Sequence, residues 1–389
     1  MDFDFTQEQV MLRDVTREFL ARESTPKIVR EVMEDPLGYR EPTWKQLADM
    51  GLLGLLIDPN LGGQGLGMID LALVLEEMGR AAFPSPYFAT SLLAATALAA
   101  GGNSSQMQAY LRGIASGQTK GTLAVLEDAT TWQPSSVRLA AERRGGDYIL
   151  QGTKRFVPFA NVADLLLVVA RTSAAAEDGT TLFAVDRTTP GVRQTPNVEI
   201  DHTSKTSTVE LDEVRVTADA IVGEVDCGWD VMSAVLMRAA VGAAAEMLGA
   251  ARRCMEMSVE YAKVRQQFGQ PIGSFQAIKH ACAEMLIEVE NAHAATYYAA
   301  WALDAGAPDA VLAASSAKAY VGDGSRKVCG SSIQVHGGIG FTWDYDLHLY
   351  VKRAKHLEPL YGDADWHRER ALQARLAPVQ QQQPQLLPV

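Results

Sequence analysis

Two hydrophobic periodicities divide this chain. Over residues 1 to about 116, apolar positions recur three and four apart, the spacing of a helix face. Val10, Met11, Val15, Phe19 and Leu20 follow Thr6, which with Gln9 three residues later predicts a capped helix start. MIDLALVLEEMGRA (68–81) and YFATSLLAATALAAG (87–101) predict two apolar helices joined to what precedes them by a glycine-rich loop, Asp58 to Gly67. A phosphate-binding loop is the rival reading of those glycines, but they lack both GxGxxG spacing and a following Lys-Ser/Thr.

From 117 to about 225 the runs become short and rich in Val, Leu, Ile and Thr: GTLAVLE, DYILQGTKRFV, ADLLLVVART, TTLFAVDR, STVELDEVRV and DAIVGE. Gly, Asp and Pro punctuate them, which predicts strands of a compact barrel or a small two-sheet domain. Helical spacing returns over 228–264, with Met247, Ala251, Cys254, Ser258 and Tyr261 on one stripe, and continues over about 274–305 and 308–330. These segments are too apolar to stand alone and predict a helical bundle extended by subunit contacts. The expected division is an N-terminal helical domain (1–116), a middle β-domain (117–225), a C-terminal bundle (226–376) and a disordered Pro- and Gln-rich tail (377–389).

Composition narrows the function classes. The net charge of −12 disfavours a nucleic-acid partner, because such a surface repels phosphate backbones. No window approaches ~18 uninterrupted apolar residues, so no membrane span is expected. The acidic start MDFDFTQEQV is unlike a secretory signal, so a cytoplasmic location is expected. Cys227, Cys254, Cys282 and Cys329 form no CxxC pair and are expected to be reduced, mostly buried thiols. The seven histidines show no HxxxH or HxH spacing, so no metal site is expected.

Two segments carry candidate chemistry. Arg265-Gln266-Gln267-Phe268-Gly269 is followed by PIGSFQ, ending at Gln276. Later comes Gln334-Val335-His336-Gly337-Gly338-Ile339-Gly340-Phe341. Arg265 offers a permanent charge and a fork of donors suited to a pyrophosphate. Phe268 offers a flat face for an aromatic ring. Gly337, Gly338 and Gly340 let backbone N–H groups approach phosphate oxygens. Gln276 and Gln334 give and accept hydrogen bonds without added charge.

With the helix–strand–helix order, these motifs resemble the acyl-CoA dehydrogenase family of flavoproteins, over about residues 2 to 376. The Ala-rich helices and the YGD ending are similar to bacterial members acting on bulky, steroid-like acyl chains. The resemblance implies an α+β, mostly α fold: helical N-domain, middle β-barrel or sandwich, and C-terminal four-helix bundle. It implies FAD as cofactor, an acyl-CoA substrate, an electron-transferring flavoprotein as acceptor, and a homodimer, homotetramer or heterotetramer. Arg265, Phe268, Gln276, Gln334, Gly337 and Gly338 then reach a flavin held mainly by a neighbouring subunit, and Phe156 packs on the flavin ring. Two departures stand out. Pro158 falls where a threonine often donates to the flavin, and Leu126-Glu127-Asp128-Ala129-Thr130-Thr131-Trp132 lacks the Gly-Ser-Asp of the family's TEPxxGSD signature.

The family reaction needs a carboxylate that removes an α-proton while the β-hydrogen leaves as hydride. Tyr361 stands at its usual place, and Asp363 two residues on. Tyrosine, with an ordinary pKa of about 10, is a poor base near neutrality. Some members carry the glutamate on the helix before RxxFG, where this chain has Ala239; Glu246, two turns further on, is expected to be too distant. Asp363 or Asp365 is one source of the carboxylate. A second reading is a non-catalytic partner subunit that donates FAD contacts to a sister chain. A third is altered flavin chemistry. Arg238, Arg252, Arg253, Lys318 and Lys327 are expected to be helix-surface charges, with CoA phosphates as their rival role.

Overall fold

The computed structural model describes residues 4–129, 131–174 and 179–380. Helix α1 (Gln7–Glu23) starts as its sequence predicts. Gln9 N–H donates to the Thr6 hydroxyl at 3.2 Å, and Thr6 N–H to the Gln9 side chain at 3.1 Å. Then come α2 (Pro26–Glu34), α3 (Glu41–Asp49), α4 (Met68–Arg80) and α5 (Phe88–Gly101), whose first seven residues are wound as a π-helix. Short helical turns continue to Ala115. The glycine loop before α4 folds back on itself, so a Cβ on Gly63 would lie 2.0 Å from the Ile57 carbonyl oxygen. Asp304 already accepts the Met68 and Ile69 N–H groups at 2.6 and 3.0 Å, so a carboxylate of this chain holds the place a phosphate would take.

The strands β1 (Gly121–Ala124), β2 (Ala140–Arg144), β3 (Asp147–Pro158), β4 (Leu165–Arg171), β5 (Thr180–Asp186), β6 (Val192–Pro196), β7 (Thr206–Thr217) and β8 (Ile221–Val222) follow. They form one eight-stranded mixed sheet, ordered β6-β7-β3-β2-β4-β5-β8, with β1 pairing in parallel on β4. The expected middle β-domain is thus built on one branched sheet. The sheet branches at β4, which pairs with β1, β2 and β5, and bends at two register shifts between β3 and β7.

Helix α6 (Gly228–Val264) is the spine of the C-terminal part, with α7 (Gln276–Asp304), α8 (Ala310–His336), α9 (Leu347–Leu357) and α10 (Ala364–Gln380). By length and composition α6 is apolar enough to cross a membrane, but 83% of its apolar window is buried inside the chain. It crosses α4 at very close range. A Cβ on Gly79 would sit 2.0 Å from the Glu246 carbonyl oxygen, and one on Gly249 1.9 Å from that of Glu76. That crossing fuses the N- and C-terminal helices into one core around Leu71, Leu75, Leu92, Val241 and Leu248; a second core lies under the sheet around Leu150, Val168 and Phe183. Cys254 and Cys329 are buried, while Cys227 and Cys282 are half-buried. The expected tail begins inside α10, and residues 381–389 lie outside the described residues.

Candidate functional site

Six of the sequence-selected residues gather at one end of the bundle. Arg265 closes α6, its N–H donating to the Tyr261 carbonyl at 2.9 Å. A hairpin of β9 (Gln266–Gln267) and β10 (Gln270–Pro271) follows, with Phe268 and Gly269 at its tip. Both have positive φ, +53° and +78°, as a two-residue type I′ turn requires. Glycine adopts this freely; phenylalanine does so at a steric cost. That strain holds the Phe268 ring 91% exposed, 6.0 Å from Phe275. Gln276 then opens α7, also exposed.

The other segment arrives on α8. Gln334 lies in its last turn, and Gly337 ends it with φ +61°. The buried His336 ring stacks on Tyr261 at 4.6 Å, tying the ends of α6 and α8 together. A Cβ on Gly337 or Gly338 would meet nothing within 4 Å, so open space lies before this backbone. Among the described residues no carboxylate pairs with Arg265. An unpaired guanidinium, a strained exposed ring and open glycine backbone fit a pyrophosphate and an aromatic group supplied from outside this chain.

Phe156 lies elsewhere, on β3, also with positive φ (+52°). It lines a narrow cavity of about 60 Å³ between the N-terminal helices, the sheet and the C-terminal bundle. Pro158 and Tyr361 line the same cavity. Tyr361 is buried with φ +60°, and its loop is clamped. Lys318 donates to the Glu358 and Gly362 carbonyls at 2.7 and 2.8 Å, and His367 Nε2 donates to the Tyr361 carbonyl at 3.0 Å. Lys318 is therefore a buried loop anchor, not the surface charge its sequence suggests. Burial pushes its ammonium down to about 8, and burial with the Lys318 charge pushes His367 down to about 3. Burial also raises the Tyr361 phenol, with Glu246 adding to the shift, which removes it further from use as a base at neutral pH.

The Tyr361 ring stacks on Phe88 at 5.4 Å and lies 5.2 Å from Trp132. Trp132 follows the stretch where Gly-Ser-Asp is missing. That stretch is pinned from behind by the fully buried Lys154, which donates to Glu127 at 2.7 Å and to the Val125 carbonyl at 3.0 Å. Glu127 in turn accepts the Arg138 and Leu139 N–H groups. Three aromatic rings thus occupy the place where the resemblance puts the base.

Asp363 does not reach this cavity. It is exposed and caps α10, accepting the Trp366 N–H at 2.8 Å, and it lines a more open groove that shares Trp132, Phe156, His356 and Leu360 with the cavity. Asp365 is a surface partner of Arg368 at 2.6 Å. Glu246 corrects the sequence expectation of distance: it lines the cavity together with Tyr361. Its neighbour Arg353, which the sequence reading passed over, is buried at the three-domain junction. Arg353 donates to Asp201 at 2.7 Å, Glu246 at 3.3 Å, the Thr203 hydroxyl at 2.6 Å and the Phe83 carbonyl at 3.1 Å. Burial pushes the Glu246 carboxyl up, which Arg353 only partly offsets. For Asp201, burial is outweighed by Arg353, His356 and the Thr203 hydroxyl together, so its carboxyl falls below the ordinary range. Arg252 pairs with Glu76 at 2.9 Å, Arg253 with Glu256 at 3.6 Å and Lys327 with Glu288 at 2.5 Å, so internal carboxylates already engage these charges.

Comparison with known proteins agrees with this architecture. Family models for the N-terminal, middle and C-terminal domains of acyl-CoA dehydrogenases match residues 6–118, 123–214 and 226–376. The acyl-CoA dehydrogenase IpdE2 of Mycobacterium tuberculosis is 33% identical, covering 90% of this chain and 91% of its own. The caffeyl-CoA reductase-Etf complex subunit CarC of Acetobacterium woodii is 29% identical over 88% of this chain and 91% of its own. A chain of the ChsE4-ChsE5 complex from M. tuberculosis superposes with a TM-score of 0.87 at 29% identity, covering 99% of this chain and all of that one. Three matched domains in the right order, on this fold and around this cavity, place the chain in the acyl-CoA dehydrogenase family.

Proposed function

We propose that this chain is the partner subunit of a heteromeric acyl-CoA dehydrogenase. In this reading it donates Arg265, Phe268, Gln276, Gln334, Gly337 and Gly338 to FAD held by a sister chain that carries the catalytic carboxylate. The observation that carries the reading is the Phe88–Tyr361–Trp132 stack, which fills the place of that carboxylate, while the bundle end keeps an exposed, acid-free Arg265. FAD, when bound, supplies the acceptor for the hydride leaving the acyl β-carbon. Arg265 holds negative charge, Phe268 covers an apolar ring, and the open backbone at Gly337 and Gly338 admits phosphate oxygens. The chain's own cavity departs from the family's flavin contacts: Pro158 has no hydroxyl to donate, and Trp132 lines it beside Phe156. Similarity to a chain of a two-protein complex supports a sister chain, and similarity to a subunit of an Etf complex supports electron-transferring flavoprotein as the acceptor.

Glu246 favours a second reading, a self-sufficient dehydrogenase. It is a buried carboxyl raised by burial, facing the cavity, and is a better placed base than Asp363. The test is the reaction of the purified chain with a panel of acyl-CoA thioesters, alone and after co-expression with a sister dehydrogenase chain. The partner reading expects flavin bleaching only in the co-expressed complex. Bleaching by the chain alone, lost in Glu246→Gln, would establish the second reading instead.

A further inference from the structure

The loop that follows α8 is gripped at its neck. Residues 337–344 are exposed apart from Gly340, and beyond them Tyr345 turns back to meet His336, nine residues earlier. His336 is 3% exposed. Its Nδ1 lies 2.8 Å from the Ser332 carbonyl and its Nε2 3.1 Å from the Tyr345 hydroxyl. A carbonyl can only accept, so Nδ1 carries the proton, and Nε2 of the neutral ring accepts from Tyr345. Burial lowers the imidazole below its ordinary range, against the Ser332 and Met257 carbonyls, and so favours that neutral ring. The two rings also pack, with centroids 5.0 Å apart, and both lie against Tyr261, at 4.6 and 6.4 Å. The Tyr261 carbonyl accepts the Arg265 N–H, so one aromatic cluster underlies both the arginine and the glycine sides of this end. Within the loop, a Cβ on Gly340 would sit 3.0 Å from that of His336, so the loop backbone rests on the base of the clasp.

We propose that His336 and Tyr345 are positioning residues for flavin binding: their hydrogen bond closes the neck of loop 337–344 and fixes the Gly337 and Gly338 backbone in the shape that receives phosphate oxygens. His336 is buried and acts through the loop. Holding both ends of an exposed loop in advance lowers the ordering cost of binding a ligand there. The inference rests on the reading that this end meets FAD, whichever chain holds the cofactor.

The test is the rate of FAD release from the assembled flavoprotein, followed by flavin fluorescence, for Tyr345→Phe, His336→Gln and His336→Asn, beside thermal melting of each. The Gln Oε1 can accept the Tyr345 hydroxyl where Nε2 does; the shorter Asn can keep only the bond to the Ser332 carbonyl. Tyr345→Phe and His336→Asn should release FAD about two- to tenfold faster, the worth of one hydrogen bond, and His336→Gln within about twofold of the parent rate. Release that instead follows melting temperature, with Gln and Asn alike, overturns the proposal. Tyr345→Phe removes one oxygen from a half-buried residue and decides the matter if the His336 variants do not fold. Arg265→Ala separates the two levels. Faster release in that variant with parent-like release in Tyr345→Phe overturns the clasp alone; parent-like release in both overturns the reading of this end with it.

Discussion

The two ends of the C-terminal bundle differ in how their needs are met. At the α6–α8 end an arginine with no carboxylate partner among the described residues, a phenylalanine at positive φ and open glycine backbone lie exposed. Around the cavity nearly every group is satisfied from within. Lys318 and His367 hold the Tyr361 loop, Lys154 holds the Trp132 segment, and Arg353 joins three domains. The contrast teaches where to look for function: unmet exposed groups mark what a chain gives to a neighbour, and internally closed networks mark what it keeps.

Perturbations of each region should therefore have different readouts. Arg353→Ala leaves Asp201 and Glu246 as uncompensated buried charges, and loss of one partner of such a cluster costs about 3–5 kcal/mol. Urea unfolding should show a drop of that size; a change below about 1 kcal/mol would remove the network from the account of the cavity. Arg265→Ala should leave stability within about 0.5 kcal/mol while lowering FAD retention in the assembled complex by about 10- to 100-fold, the range of a charge-assisted contact. Unchanged flavin content would break the assignment of that end.

Acid separates the regions through His367. Its folded pKa, about 3, lies below the ordinary 6.5, so the unfolded chain binds a proton there that the folded chain refuses. Stability from this group is therefore full above about pH 6.5 and is lost as pH falls toward 3, with a slope of at most about 1.4 kcal/mol per pH unit. His367→Gln, which can still donate to the Tyr361 carbonyl, should flatten that share of the slope in urea midpoints measured between pH 6.5 and 4.5. The smallest effect belongs to Phe268→Ala, with stability unchanged within about 0.5 kcal/mol because the ring is exposed, or slightly raised by relief of side-chain strain.

Local signals were legible in the sequence. The Thr6–Gln9 cap, the apolar runs of α4, α5 and α6, and the contiguous motifs at Arg265 and Gln334 each depend on neighbours a few residues apart. β2 and β6 escaped notice because AAERR and VRQTP are mostly exposed and carry little hydrophobic pattern. Asp363 caps α10, the local role open to an aspartate that directly precedes a helix. Glu246 was misplaced because counting turns along α6 ignores what crosses it. Gly79 lets α4 lie against the Glu246 backbone, and Arg353 reaches Glu246 from more than a hundred residues away. No local pattern encodes such a meeting. Trp132 is of the same kind, carried to Tyr361 by a segment that Lys154 pins from another strand.

The most direct measurement is flavin stoichiometry, from the visible spectrum and protein concentration of the chain purified alone and of its complex with a sister dehydrogenase chain. The account predicts little flavin on the chain alone and about one FAD per pair of unlike chains in the complex. One FAD per chain on the protein purified alone would contradict it, and the search for a base would then begin at Glu246.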